Sequence, residues 1–130
     1  MIVTDASAVV QACLSTVDLQ KLASQGLIAP PLLWSEAMSV IHELKWRRQI
    51  SSALASTAFE KLKAAPVRSR RPAELQAEAW RLAERFGWAK TYDAEYVALA
   101  LLSKCRLLTT DAKLAAVAKQ IVDTIGPADL

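Results

Sequence analysis

Carboxylates placed at the ends of apolar runs are the residues with the most chemical potential in this 130-residue chain. Asp5 closes the run in "MIVTDAS", and Asp111 closes the one in "RLLTTDAK". Each stretch reads as a strand that stops at an aspartate. Such an aspartate caps the next helix, typically contributing about 1 kcal/mol, and its charge suits the helix dipole. A second role is compatible with the first, because a helix N-terminus also keeps a carboxylate ionised and ready for a metal. "TYDAEYVALALLS" carries Asp93 and Glu95 at the head of a helix with no other charge before Lys104. A buried charge is costly unless it is paired or bound to a cation. This helix is apolar all round, so periodicity does not choose which acid faces inward. Glu36 lies at the edge of the apolar face in "PLLWSEAMSVI", where helix statistics alone make it a solvated surface residue. Glu43 has Arg47 four residues on, and Glu78 and Glu84 lie on charged helices; these read as solubilising pairs.

Other catalytic chemistries lack their parts. His42 is the only histidine, which excludes a two-histidine ribonuclease site within one chain. Ser7 has no histidine and base in a triad arrangement. The three glycines are isolated, so no glycine-rich phosphate loop exists.

The elements that must position the acids follow from composition. Strand-like runs are Ile2 to Thr4, Leu27 to Ala29, Arg106 to Leu108, and Ile121-Val122 with Thr124-Ile125. Helical segments are Ala8 to Leu14, Asp18 to Ser24, Leu32 to Arg48 after Pro30-Pro31, and one from Ser51 or Ser52 to about Ala64. In the long one, Leu33, Ala37, Val40, Ile41 and Leu44 share a face. "PVRSRRP" is placed as a short edge strand; Pro72 opens a helix that closes near Gly87. Tyr92 to Ser103 is a buried central helix, and a last helix follows Asp111. This alternation predicts a single α/β domain over residues 1–130, with a mostly parallel sheet flanked by helices on both faces. Ligands of open α/β sheets bind beyond the carboxyl ends of the strands. Should the strands before Asp5 and Asp111 be neighbours, both carboxylates point at one crevice.

Apolar residues make up 53% of the chain, enough to cover an oligomer interface or a sheet buried on both faces. No apolar run approaches the ~18 residues of a membrane helix, and the N-terminus lacks signal-peptide character. Cys13 and Cys105 form no CxxC pattern and read as reduced core thiols of a cytoplasmic protein. The net charge of +3 is mild, but five arginines and a lysine concentrate in "KWRRQ" and "RSRR". Lys45, Arg47, Arg48, Arg68, Arg70 and Arg71 are therefore candidates to grip phosphates, against the plainer reading of a solvated helix end and an exposed connection. Trp46 or Trp88 could stack a base, although packing in a core or interface is the commoner fate of tryptophan.

Over essentially its full length the chain resembles PIN-domain proteins of the VapC type, the toxin half of a toxin–antitoxin pair. The resemblance rests on "MIVTDAS", "PLLWSEAMSVI", "TYDAEYVALA" and "LLTTDAKL", in that order. It implies that Asp5, Glu36, Asp93 and Asp111 converge on one catalytic, metal-binding pocket, and it selects Asp93 over Glu95. Ser7 and Thr109 match hydroxyl residues that commonly flank the first and last acids, in a supporting role. Family members often carry Asn three residues after the glutamate; here that position is Ser39, which leaves Glu36 less firmly held.

Two carboxylates about 4 Å apart repel by roughly 4 kcal/mol at an effective dielectric near 20. A four-carboxylate pocket therefore calls for a cation, and oxygen-only ligands favour Mg²⁺ or Mn²⁺. The reading is a metal-dependent endoribonuclease acting on single-stranded or looped RNA. The resemblance further implies a VapB-type antitoxin that lays a segment across the crevice, and a homodimer. Two alternatives stand beside it. One is a phospho-accepting receiver-type domain, which usually has adjacent acids after its first strand and a lysine after its last. The other is a catalytically silent PIN-like module that binds RNA or protein.

Overall fold

The computed structural model describes residues 1–16 and 20–129. Five short strands form its centre: β1 (Ile2–Thr4), β2 (Leu27–Ala29), β3 (Val67–Ser69), β4 (Arg106–Leu108) and β5 (Thr124–Ile125). They lie in the order β3-β2-β1-β4-β5, and every pairing is parallel. Apart from Thr4 and the half-buried Arg106, the three inner strands are apolar and buried, as strands covered on both faces must be. Alternation divides their side chains: Val3, Ile28 and Leu107 enter the main core, whereas Ile2, Leu27 and Leu108 enter a smaller cluster. The edge strand β3 carries exposed Arg68 and Ser69, and charge there discourages pairing with another chain.

Helices α1 (Ala6–Leu14), α2 (Gln20–Ala23), α3 (Leu32–Trp46) and α4 (Ser52–Lys63) connect β1 to β2 and β2 to β3. Helices α5 (Leu75–Phe86) and α6 (Tyr92–Ser103) return the chain to β4, and α7 (Ala112–Ala118) leads to β5. The chain steps towards one edge of the sheet, then reverses. Right-handed crossovers therefore put the first four helices on one face and the last three on the other. Accordingly α1, α3 and α4 pack together, α5 packs on α6, and α6 lies against β1 and β4. None of the described helices is long and apolar enough to cross a membrane.

Local signals set the boundaries. Ser51 caps α4 by accepting from the Leu54 N–H at 3.1 Å. Gly87 ends α5 in the left-handed conformation (φ 68°), where a Cβ would be strained. Some expectations shift. Helix α1 begins at Ala6, and α3 stops at Trp46, because Arg48 adopts φ 58°. Two residues of turn, Ala73 and Glu74, separate Pro72 from α5. Ile121-Val122 is not a strand: both N–H groups bond back to Ala118 O at 2.9 Å, closing α7. Of the expected Asp18–Ser24 helix, Gln20–Ala23 is present, while Asp18 lies outside the described residues.

Candidate active site

The parallel register sets Thr4 beside Leu108, so the residues after β1 and β4 emerge together at the carboxyl edge of the sheet. This is also where the strand order reverses, the position at which open α/β sheets form their ligand crevices. Asp5 and Asp111 stand there, each capping the helix that follows. The Asp5 N–H donates to Leu108 O at 3.1 Å. Asp5 Oδ1 accepts from Ala8 N at 3.0 Å and from Ser7 Oγ at 2.7 Å, and Oδ2 accepts from Thr109 Oγ1. Asp111 Oδ1 accepts from Lys113 N at 2.9 Å and Leu114 N at 3.1 Å. Capping and site formation thus coincide.

Ser7 and Thr109 stitch the two junctions together. The Thr110 N–H donates to Ser7 Oγ at 3.1 Å, and the Asp111 N–H donates to Thr109 Oγ1 at 3.0 Å. Both hydroxyls therefore hold Asp5 while accepting from the β4–α7 loop. Their help goes to the first acid; the last one is served only through its backbone.

Asp93 is in the first turn of α6, and Glu36 one turn into α3. Asp5, Glu36, Asp93 and Asp111 line a single cleft of about 760 Å³. Glu95, on the neighbouring face of α6, does not line it. Val10, Leu14 and Val40 supply an apolar wall, so Val40, expected in the core face of α3, is instead half-exposed beside the acids.

Asp5, Glu36 and Asp93 resist ionisation. Burial pushes Asp5 above the usual aspartate range, against the pull of its three hydrogen bonds, and Asp111 adds repulsion. Burial also raises Glu36, with Asp93 and Asp5 adding to the effect and the Tyr96 hydrogen bond opposing it. Asp93 is raised by burial first, then by Asp111 and Asp5. Among the described residues none donates a hydrogen bond to its carboxylate.

A family model for the PIN domain matches residues 2–120. The chain belongs to the PIN domain family. PIN domains are generally metal-dependent nucleases, and the match sets aside the receiver-type alternative. A solved structure, PAE2754 from Pyrobaculum aerophilum, superposes with a TM-score of 0.72 at 25% identity, over 94% of this chain and 89% of that one. No curated protein matches the chain.

The side-chain donors in this PIN domain's cleft are carboxylate and hydroxyl oxygens and the Gln11 amide. His42 is away in the α3–α4 region, and Cys13 and Cys105 are free thiols raised by burial. Among the described residues, no three of His, Cys, Asp and Glu stand close enough to cage an ion by themselves. Mg²⁺ is usually held by one or two carboxylates, with water and substrate phosphate completing its shell, so the donor set fits a hydrated hard cation.

The basic candidates divide. Arg47 shares Glu36's stripe of α3 but pairs with Glu43 at 2.8 Å. Lys45, about two and a half turns beyond Glu36, faces the opposite side. With Arg48 and the exposed Trp46 it lines a separate hollow before α4. Arg68 is on β3, while Arg70 and Arg71 follow it at the carboxyl edge of the sheet, and the charge of Arg71 is felt by Glu95. Trp88 packs on Phe86 at 5.6 Å and is half-buried beside the core.

Tyr96 was hidden in the apolar sequence of α6. Its ring is fully buried and its hydroxyl donates to Glu36 Oε1 at 2.8 Å. Burial and the neighbouring Glu36 push the phenol far above its ordinary range, so it remains a donor.

Proposed function

We propose that this PIN domain is a Mg²⁺- or Mn²⁺-dependent endoribonuclease that cuts single-stranded or looped RNA as the toxin of a VapC-type toxin–antitoxin pair. The observation that carries this reading is the shared cleft: four carboxylates from four separate elements line it, and the ionisation of Asp5, Glu36 and Asp93 is opposed by burial and by their acidic neighbours. A bound divalent ion supplies charge neutralisation on a phosphate oxygen and a water of lowered pKa. Asp5 and Asp93 are the direct ligands, and Glu36 and Asp111 complete the site or orient the attacking water. Ser7 and Thr109 keep the Asp5 carboxylate in place. Arg70 and Arg71, at the same edge of the sheet, are suited to hold the RNA backbone. The acidic cleft also suits a basic side chain from a VapB-type antitoxin, and the protein works in the cytoplasm as a homodimer.

The test is cleavage of a mixed RNA by the purified protein with Mg²⁺ or with EDTA, beside Asp5→Asn and Asp93→Asn. Cleavage should require the metal and fall by about 10²-fold or more in each variant, the scale of loss when a charged transition-state group is removed. Undiminished cutting in EDTA, or by both variants, refutes the mechanism. A native protein that binds RNA without cutting it identifies a silent module.

A further inference from the structure

We propose that Tyr96 is the positioning residue for Glu36, its hydroxyl holding that carboxylate in the acidic cleft opposite Asp93. The assignment rests on the nuclease reading of the cleft. A buried tyrosine hydroxyl needs a partner. Here the partner is 60 residues away in sequence, on α3, across a 2.8 Å bond. Among the described residues it is the one side-chain hydrogen bond joining α3 to α6. Glu36 arrives on a long side chain with several rotatable bonds, and a charge-assisted bond to one oxygen fixes it while leaving Oε2 for the cleft. Ser39, three residues after Glu36, is exposed and makes no hydrogen bond to Glu36 among the described residues. Tyr96 is three residues beyond Asp93, on the same face of α6. One helix face therefore presents the Asp93 carboxylate and also the hydroxyl that sets where Glu36 stands relative to it.

The experiment compares full-length native protein with Tyr96→Phe, Glu36→Asp, Glu36→Gln and the Tyr96→Phe/Glu36→Gln double variant. Mn²⁺ binding is read by electron paramagnetic resonance, metal-free Tm by thermal melting, and cleavage with a labelled single-stranded RNA. Tyr96→Phe should weaken Mn²⁺ binding by about 10-fold, the scale at which groups that orient a ligand act, with Tm within a few degrees of native. Adding it to Glu36→Gln should change binding by less than about twofold, since both act through one carboxylate. Glu36→Asp keeps the charge but is too short to meet the hydroxyl, and should match Tyr96→Phe. Native-like Mn²⁺ affinity in Tyr96→Phe, or losses that multiply in the double variant, overturns the assignment. Should Tyr96→Phe not fold, native-like affinity in Glu36→Asp overturns it equally. Mn²⁺ binding without RNA cleavage by the native protein defeats the nuclease reading alone, and Tyr96 is then judged on the Mn²⁺ affinities.

Discussion

Asp93 faces three other carboxylates, and none of the described residues donates to it. Without a metal it is therefore a source of repulsion as well as a candidate ligand. Asp93→Asn should raise the metal-free Tm by roughly 2–5 °C, the response of a chain this size to a modest gain in stability. The same variant should lose most of the Tm increase that Mg²⁺ gives the native protein. Scanning calorimetry with and without the ion checks both. Individual residues were unequally legible in the sequence. Asp5 and Asp111 are marked by the apolar runs that they end, because a strand followed by a helix leaves its first polar residue at a predictable edge. Glu36 looked like a surface residue, and Asp93 could not be told from Glu95, because which side of an all-apolar helix faces inward depends on what packs there. Tyr96 left one usable signal. A tyrosine within a buried helix must find a hydrogen-bond partner, and an acid at the edge of another buried face is an obvious one.

Helix caps are also site residues here, so substitutions must be chosen to separate the two effects. Asp111 holds two first-turn N–H groups of α7. Asn is as good a cap, whereas Ala removes the acceptor at a cost of about 1 kcal/mol. Asp111→Asn should keep native stability in urea while losing cleavage, and Asp111→Ala should lose both. Equal destabilisation by the two would show that the carboxylate's charge, beyond its hydrogen bonds, stabilises α7. At this scale the parallel sheet, the Ser51 and Gly87 caps and the buried helix α6 were all legible. The misassigned pieces lie at helix ends, where Arg48 turns left-handed and the Ile121 and Val122 N–H groups bond back to Ala118 O. Ile121-Val122 looks like a strand by composition, yet those residues close α7, and only Thr124-Ile125 reaches the register that β4 offers.

For the whole molecule, the linked acids predict how stability varies with pH. Asp5, Glu36 and Asp93 all have raised folded-state pKa values, so the folded protein binds more protons than the unfolded chain. Their contribution is complete below the ordinary carboxylate values of 3.8 and 4.5 and is lost as pH rises through the raised ones. In EDTA, Tm should therefore decline as pH climbs from that range towards neutrality, and Asp93→Asn should flatten the decline. Added Mg²⁺ should raise Tm more at neutral than at acid pH. A flat profile in EDTA would mean that the cleft is better hydrated than its raised pKa values imply. The sheet order has a further consequence for synthesis. The strand made first occupies the middle, and one of its flanking partners, β4, is not reached until Arg106. A nascent chain still lacking that partner has no reversal point in its strand order and no seat for the last acid. Folding must then wait on distant contacts and be slow for a domain of this length, and a ribosome stalled before that strand would release an inert fragment.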